Sequence, residues 1–355
     1  MKVVVTGATG NVGSALLRRF AEVGGYDVVG LARRVPDGDG SSGTVDWRAV
    51  DLTHVHAEPV LREAFTGADA VVHLAWGFQP SHDPDYLEQL GVQGTRRVLG
   101  AVAEADVPQL VHMSSVGAYS PKRDDTPVDE SWPTDGVPTS PYSRHKSAAE
   151  RLLDAHESAH PHRVVARLRP GIVGQRDAGS ALLRYGLPAV VPARVLGHVP
   201  VLPLDRRLAI PMVHADDVAD AIERVLHRSA GGAFNLSAEP AVTTAAIAGV
   251  LQARLVHVPA GVVRAAMSAA WHARLQPVDP GWLDLGFAVP LMDTTRARVE
   301  LGWTFRTDAL SVLAETVEGM RDAASGGSAV LRPRTVAGQL VSALRRGAVS
   351  VRKRP

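Results

Sequence analysis

The 355-residue sequence contains no cysteine, which excludes disulfides, thiolate metal sites and a cysteine nucleophile. It has almost no lysine. Of 38 basic residues four are lysines (Lys2, Lys122, Lys146 and Lys353), which leaves 34 arginines. Three of the four lie near an end or in a polar loop, so Lys146 stands out. The chain lacks charge imbalance: the net value of +1 gives no global pull toward nucleic acid or an acidic partner. It also lacks an uninterrupted apolar run of about 18 residues. The richest stretch, 181–204, is broken by Arg184, Arg194 and four prolines. No charged leader precedes the first apolar run, so no signal peptide is expected and the cytoplasm is the default compartment.

What is present suits a globular enzyme. Hydrophobic residues make up 45% of the chain, enough to bury a large core. The first half alternates short β-rich runs with amphipathic stretches. Strands are expected at 3–6, 28–31, 47–50, 70–74, 110–114 and 164–168, mostly as continuous apolar runs, which suits a parallel sheet covered on both faces. Helices are expected near 13–23, 58–65, 85–103 and 142–159. This alternation predicts an α/β, Rossmann-type doubly wound parallel sheet with a smaller C-terminal substrate-binding lobe. The dinucleotide-binding domain is assigned to 1–170, with return elements near 211–236. The lobe is assigned to 171–210 and 237–323, with helices near 243–253, 261–273 and 308–321. Residues 324–355 read as a Gly/Ser/Ala linker and a basic tail. The tail is read as solvated, with contact to a membrane or anionic surface as the alternative.

Three motifs carry chemistry. The first strand runs into Thr6-Gly7-Ala8-Thr9-Gly10-Asn11-Val12-Gly13 and then into a helix. Glycines at 7, 10 and 13 let the backbone turn tightly and approach a pyrophosphate, which the helix N-terminus then faces. A strand before and a helix after is the context that makes this spacing a dinucleotide signal. Where an NAD enzyme ends its second strand in Asp or Glu, this chain has Ala32, followed by Arg33 and Arg34. Two guanidiniums without a carboxylate favour the 2′-phosphate of NADP over NAD.

The second motif, Tyr142-Ser143-Arg144-His145-Lys146, opens a helix behind Ser140 and Pro141. Spacing of i,i+4 puts Tyr142 and Lys146 on one face. A nearby ammonium would draw the phenol's proton affinity toward the working range. The third motif is the end of the fifth strand, Ser114-Ser115-Val116-Gly117-Ala118-Tyr119, where hydroxyls meet the ligand crevice.

Together these residues resemble the extended short-chain dehydrogenases/reductases, the NAD-dependent epimerase/dehydratase family, over roughly residues 1–325. Asp51-Leu52, His73-Leu74-Ala75, Gly94-Thr95, Leu168-Arg169-Pro170 and the run from His214 to Ala219 are similar to further family landmarks. The resemblance implies that Ser115, Tyr142 and Lys146 are catalytic. It implies a cofactor site of Gly7, Thr9, Gly10, Asn11, Val12, Gly13, Arg33, Arg34, Asp51, Leu52, Leu74, Ala75, Tyr142, Lys146 and Pro170. Trp76, Phe78 and Tyr119 are assigned to substrate, with Gln79, His82, Gln175, Tyr185 and Trp282 as weaker candidates. No metal site is expected, because the His156/His160 pair has no Glu at the position a metalloprotease motif requires.

One position departs from the family. Its relay asparagine, three residues before the Gly-Thr pair, falls on Gly91. The sequence also lacks the family's Phe-Asn after the sixth strand and its Arg at 210, where Ile210 stands, which argues against a sugar-nucleotide substrate. The expectation is an NAD(P)-dependent oxidoreductase acting on a small-molecule carbonyl or alcohol. The alternatives are a sugar-nucleotide epimerase or dehydratase with bound NAD, and a disabled dinucleotide sensor. No nucleic-acid partner is expected, and the resemblance allows a homodimer through 85–104 and 142–159.

Overall fold

The structure, a computed structural model, describes residues 1–36, 45–77, 83–186, 193, 197–276, 278–328 and 330–333, with the backbone alone at 84 and 184–186. Twelve strands are described: β1 (Lys2–Thr6), β2 (Asp27–Ala32), β3 (Val45–Ala49), β4 (Ala70–His73), β5 (Gln109–Met113), β6 (Val164–Pro170), β7 (Ile172–Gly174), β8 (Val201–Leu204), β9 (Ala209–His214), β10 (Gly232–Leu236), β11 (Ala238–Thr243) and β12 (Arg254–His257). The helices are α1 (Asn11–Val23), α2 (Ala57–Phe65), α3 (Pro84–Glu88), α4 (Gly94–Glu104), α5 (Pro141–Ala159), α6 (Gly179–Gly186), α7 (Ala215–Arg228), α8 (Thr244–Leu251), α9 (Ala260–His272), α10 (Pro280–Ala288), α11 (Thr295–Leu301) and α12 (Ala309–Arg321).

Seven strands form one parallel sheet in the order β10-β6-β5-β4-β1-β2-β3. The order reverses beside β1, so a crevice opens at the carboxyl ends of β1 and β4. Both faces are covered at the centre of the sheet, which is why β1, β2 and β4 carry continuous apolar runs, while the edge strand β3 (VDWRA) does not. Along β1, Val3 and Val5 join one buried cluster with Leu16, Phe20, Ile222 and Trp303, while Val4 joins the other with Leu61, Phe65, Val98 and Leu153. Successive strand side chains point to opposite faces, and here each face finds its own helices.

Three differences from the sequence reading stand out. The helix expected over 85–103 is broken. α3 and α4 are joined by a π-helical turn, Gln89–Gln93, which carries Gly91. The first of the return elements expected near 211–236 is β9, which leaves the main sheet for a small one, β11-β9-β7. α10, between 280 and 288, had no counterpart in the sequence reading, and it proves to face the site.

Late segments are tied back to early ones. The indole N–H of the fully buried Trp303 donates to the Asp217 carbonyl at 2.8 Å, and the Asp217 carboxylate accepts from the amides of Arg306 and Thr307. Ser328 donates its hydroxyl to the Thr9 carbonyl at 2.7 Å, which anchors the chain beyond α12 on the glycine turn.

No helix among the described residues is long and apolar enough to cross a membrane. The basic tail from 334 onward lies outside the described residues.

Candidate functional site

A cavity of about 580 Å³ lies at the carboxyl ends of β1, β4 and β5. The glycine turn forms its floor. Gly7 has φ +72°, and a Cβ there would come within 2.7 Å of the Ala75 amide nitrogen. A Cβ at Gly13 would stand 2.4 Å from the Gly7 carbonyl oxygen and 2.6 Å from that of Ala8. Both neighbours are main chain and cannot step aside, so only glycine fits. α1 begins at Asn11 with no acidic residue in its first turn, leaving amide N–H groups and the positive dipole end free for an anion. Thr9, Gly10, Asn11, Val12 and Gly13 line the cavity beside Arg33, Arg34, Leu52, Leu74, Ala75 and Pro170. This cradle, with two guanidiniums at one end, fits a dinucleotide.

Most of the expected cofactor residues thus share one wall. Asp51 is not on it. Its carboxylate accepts from the Thr53 amide at 3.0 Å and the Thr53 hydroxyl at 2.7 Å, while Leu52 faces the cavity. Arg33 donates to the Tyr86 hydroxyl at 2.5 Å. Burial, with Arg332 and Arg33 nearby, lowers the proton affinity of Arg34.

At the other end of the cavity stand Ser115, Tyr142 and Lys146. Their alignment has local causes. Ser115 is in extended conformation and caps the 3₁₀ turn 116–118, its oxygen accepting from the Gly117 amide at 3.0 Å. Ser140 caps α5, with Pro141 in the first turn. Ser143 then donates its hydroxyl to the Gly117 carbonyl at 2.6 Å and accepts from the Val137 amide at 2.6 Å. These bonds dock the start of α5 onto the 3₁₀ turn and bring Tyr142 to Ser115, with which it is hydrogen-bonded. Gly117 permits this: a Cβ there would sit 2.9 Å from the tyrosine ring.

One turn further along α5, the buried Lys146 ammonium donates to the Met113 carbonyl at 2.8 Å. It also lies 3.6 Å from the centre of the Trp76 indole, a cation–π contact. Burial pushes the Tyr142 phenol up to about 12, with the Ser115 bond pulling the other way. Burial pulls Lys146 down to about 7, against the opposing influence of Glu150. Both shifts are desolvation effects, which disfavour whichever form is charged.

The departure at Gly91 has a structural counterpart. A Cβ at this position would lie 3.0–3.2 Å from the Trp76 ring, so the indole occupies the side of the helix that an asparagine would share. Trp76 therefore stands between Gly91 and Lys146, edge-on to Tyr142 at 6.4 Å. Behind it, His73 bridges Thr6 at 2.7 Å and Thr95 at 3.1 Å, and burial holds it neutral.

Two candidates are corrected. Tyr119 is fully buried and away from the cavity. Its hydroxyl donates to Asn235 at 2.6 Å and accepts from Arg169 at 3.1 Å. It belongs to a network in which Glu150 accepts from Arg169, Arg167 and Ser114. Gln175 is also buried off the wall. It donates to the Asn11 carbonyl at 2.8 Å and to the Asn11 side chain at 2.6 Å, bracing the glycine turn rather than a substrate. Phe78, Gln79 and His82 lie outside the described residues, as does the Tyr185 side chain.

Trp282, a weaker candidate, is on the wall, its ring 4.9 Å from that of Tyr142. With it come Leu285, Gly286 and Val289, which the sequence reading missed. Their spacing of i, i+3, i+4 and i+7 is a one-face helical signal that marks them as one side of a helix, though not the cavity that side meets.

Comparison with known proteins gives the family and the fold. Residues 3–237 match the model of the NAD dependent epimerase/dehydratase family. The UDP-glucose 4-epimerase of Mycolicibacterium smegmatis is 27% identical over 337 residues, covering 91% of this chain and 99% of that one. Cinnamoyl-CoA reductase 1 of Petunia hybrida is 38% identical over 136 residues, covering 36% of this chain and 40% of the reductase. A solved structure of Thermus thermophilus UDP-glucose 4-epimerase with NAD superposes with a TM-score of 0.67 at 22% identity, covering 91% of this chain and all of that one. At that identity the superposition speaks for the fold.

Proposed function

We propose that this chain, which belongs to the NAD dependent epimerase/dehydratase family, is an oxidoreductase that interconverts a small-molecule carbonyl and its alcohol, with Tyr142 as acid–base. One observation carries the reading. Tyr142, hydrogen-bonded to Ser115 and one helical turn from a buried lysine, faces the same cavity as the glycine cradle. A bound nicotinamide supplies or accepts the hydride. The protein's own residues handle the proton. In reduction the Tyr142 hydroxyl donates its proton to the substrate oxygen as that oxygen gains negative charge, and Ser115 holds the oxygen by a second hydrogen bond. In oxidation the same phenol takes the alcohol proton. Burial holds the phenol near 12, a reluctant acid–base at neutral pH, so the phenolate is to be reached while the nearby Lys146 is still a protonated ammonium, which its own lowered value near 7 confines to neutral pH and below. The Trp76 face and the Met113 carbonyl hold that ammonium in place.

Within the family's dependence on NAD-type cofactors we favour NADP(H). Ala32 offers no carboxylate for a ribose 2′-hydroxyl, while Arg33 and Arg34 line the adenosine end of the cavity.

The test is Tyr142→Phe, assayed with a panel of ketones and alcohols and both cofactors. We expect kcat to fall by about 10³-fold or more with NADPH binding retained, and wild-type kcat/KM to be higher with NADPH than with NADH. A variant that keeps its turnover would remove Tyr142 from its assigned role. A second reading, a sugar-nucleotide epimerase, is favoured by the near full-length similarity to a UDP-glucose 4-epimerase. Interconversion of UDP-glucose and UDP-galactose without net redox change would establish it.

A further inference from the structure

We propose that the substrate is an uncharged compound whose carbonyl or alcohol is carried on an apolar, ring-bearing body, and that one face of α10 is its platform. This rests on the oxidoreductase reading above. α10 starts at a strong cap, with Asp279 accepting from the Gly281 amide at 2.9 Å. From there it turns Trp282, Leu285, Gly286 and, just past its end, Val289 toward the cavity. The charged residue of the helix, Asp284, points elsewhere and is held by Arg264 at 2.8 and 3.1 Å. Ile210 and Pro211 of β9 also line the cavity. The Trp282 ring packs against the Tyr142 ring, centroids 4.9 Å apart and tilted by 34°, so the aromatic edge and outer face of the indole adjoin the residue assigned to proton transfer. A planar ring set against it would gain contact area and stacking together.

The charge distribution points the same way. Among the described residues the cations on the wall are Arg33, Arg34 and Lys146. The first two follow β2, at the adenosine end of a bound dinucleotide. The third is committed to the Met113 carbonyl and the Trp76 face. A diphosphate at the substrate end would need cations of its own. Arg206 and Arg207, the nearest candidates by sequence, are not on the wall, and Arg207 grips Asp205 at 2.8 and 3.1 Å.

The experiment measures equilibrium binding of 2-acetylnaphthalene, dihydroxyacetone and UDP-glucose to the full chain loaded with NADP⁺, beside NADPH-dependent turnover of both ketones. The naphthyl ketone is expected to bind at least about tenfold more tightly than dihydroxyacetone, with UDP-glucose failing to compete. Trp282→Ala should weaken the naphthyl ketone by about tenfold and leave the NADPH Kd unchanged, which also reports that the variant is folded. Trp282→Phe, which keeps a ring, should recover most of the loss. Preference for dihydroxyacetone, competition by UDP-glucose, or equal losses for both ketones in Trp282→Ala would overturn the proposal. Failure of the oxidoreductase reading looks different: the naphthyl ketone binds, yet it is not turned over and Tyr142→Phe changes nothing.

Discussion

The two walls of the cavity are built on opposite principles. The dinucleotide wall is made largely of backbone. Gly7, Gly10 and Gly13 bring main chain up to where phosphates would sit, and the neighbours that forbid a Cβ at Gly7 and Gly13 are other main-chain atoms. The α10 wall is made of side chains, Trp282, Leu285 and Val289, contributed by a helix more than a hundred residues beyond the Tyr142 motif. A wall of backbone recognises what every member of a cofactor class shares. A wall of apolar side chains recognises volume and shape, and can be altered one residue at a time without disturbing the fold. The sharpest way to break this contrast is Gly13→Ala. One methyl group would have to fit 2.4 Å from the Gly7 carbonyl oxygen. We expect NADPH affinity to fall by about 100-fold or more and the melting temperature to drop by several degrees. Fluorescence titration and a thermal melt measure both, and a Kd within threefold of wild type would mean that the turn is not a rigid cradle.

Lys146 stands at the seam between the walls, and its effect reads out in stability. Unfolded, a lysine keeps its proton up to its ordinary value of 10.5, whereas folded Lys146 releases it near 7. Between those values the unfolded chain binds more protons, so stability rises with pH by about 1.4 kcal/mol per pH unit from this group. Below pH 7 both forms are protonated and the full cost of burying the charge is present. Lys146→Met should therefore lose turnover yet melt higher than wild type at pH 6–7, by a difference that shrinks as pH rises toward 10. Parallel melting curves for the two proteins across this range would contradict the buried, destabilised ammonium.

The contrast between the walls also explains what could be read from the sequence. The glycine turn and the Tyr142/Lys146 pair each impose a spacing within a few residues, because a tight backbone approach or two side chains on one helix face has to be met locally. The sheet was legible for a related reason: strands covered on both faces carry apolar runs without alternation, as Val3–Val5 of β1 and Leu110-Val111 of β5 do. The α10 wall depends instead on tertiary placement, and nothing near Trp282 announces which cavity it will face. Tyr119 misled because a tyrosine just past a strand end reads the same whether it turns to the crevice or, as here, inward to Asn235 and Arg169. Gln175 misled in the opposite sense, since its bonds to Asn11 span more than 160 residues. The π-helical turn at 89–93 was hidden by a pattern that suited an ordinary helix.

Gly91 gives the finest test, because it resembles Gly13 in being crowded and differs in what crowds it. At Gly13 the obstacle is main chain; at Gly91 it is the Trp76 indole, 3.0–3.2 Å from where a Cβ would stand. A side chain can yield by a few tenths of an ångström where a carbonyl cannot. Alanine also gains about 1 kcal/mol over glycine in a helix interior, a benefit the π turn at least partly shares. Gly91→Ala should therefore fold as well as wild type. The indole it nudges is the face under the Lys146 ammonium, so the small loss should appear in catalysis: kcat down about threefold, the alkaline limb of the pH–rate profile shifted, and the NADPH Kd unchanged. A variant with wild-type kcat and pH profile would show that Trp76 merely fills space beside Lys146. Loss of folding would show that Gly91 is as tightly enclosed as Gly13, and the distinction between glycines that meet backbone and glycines that meet side chains would fail at its finest point.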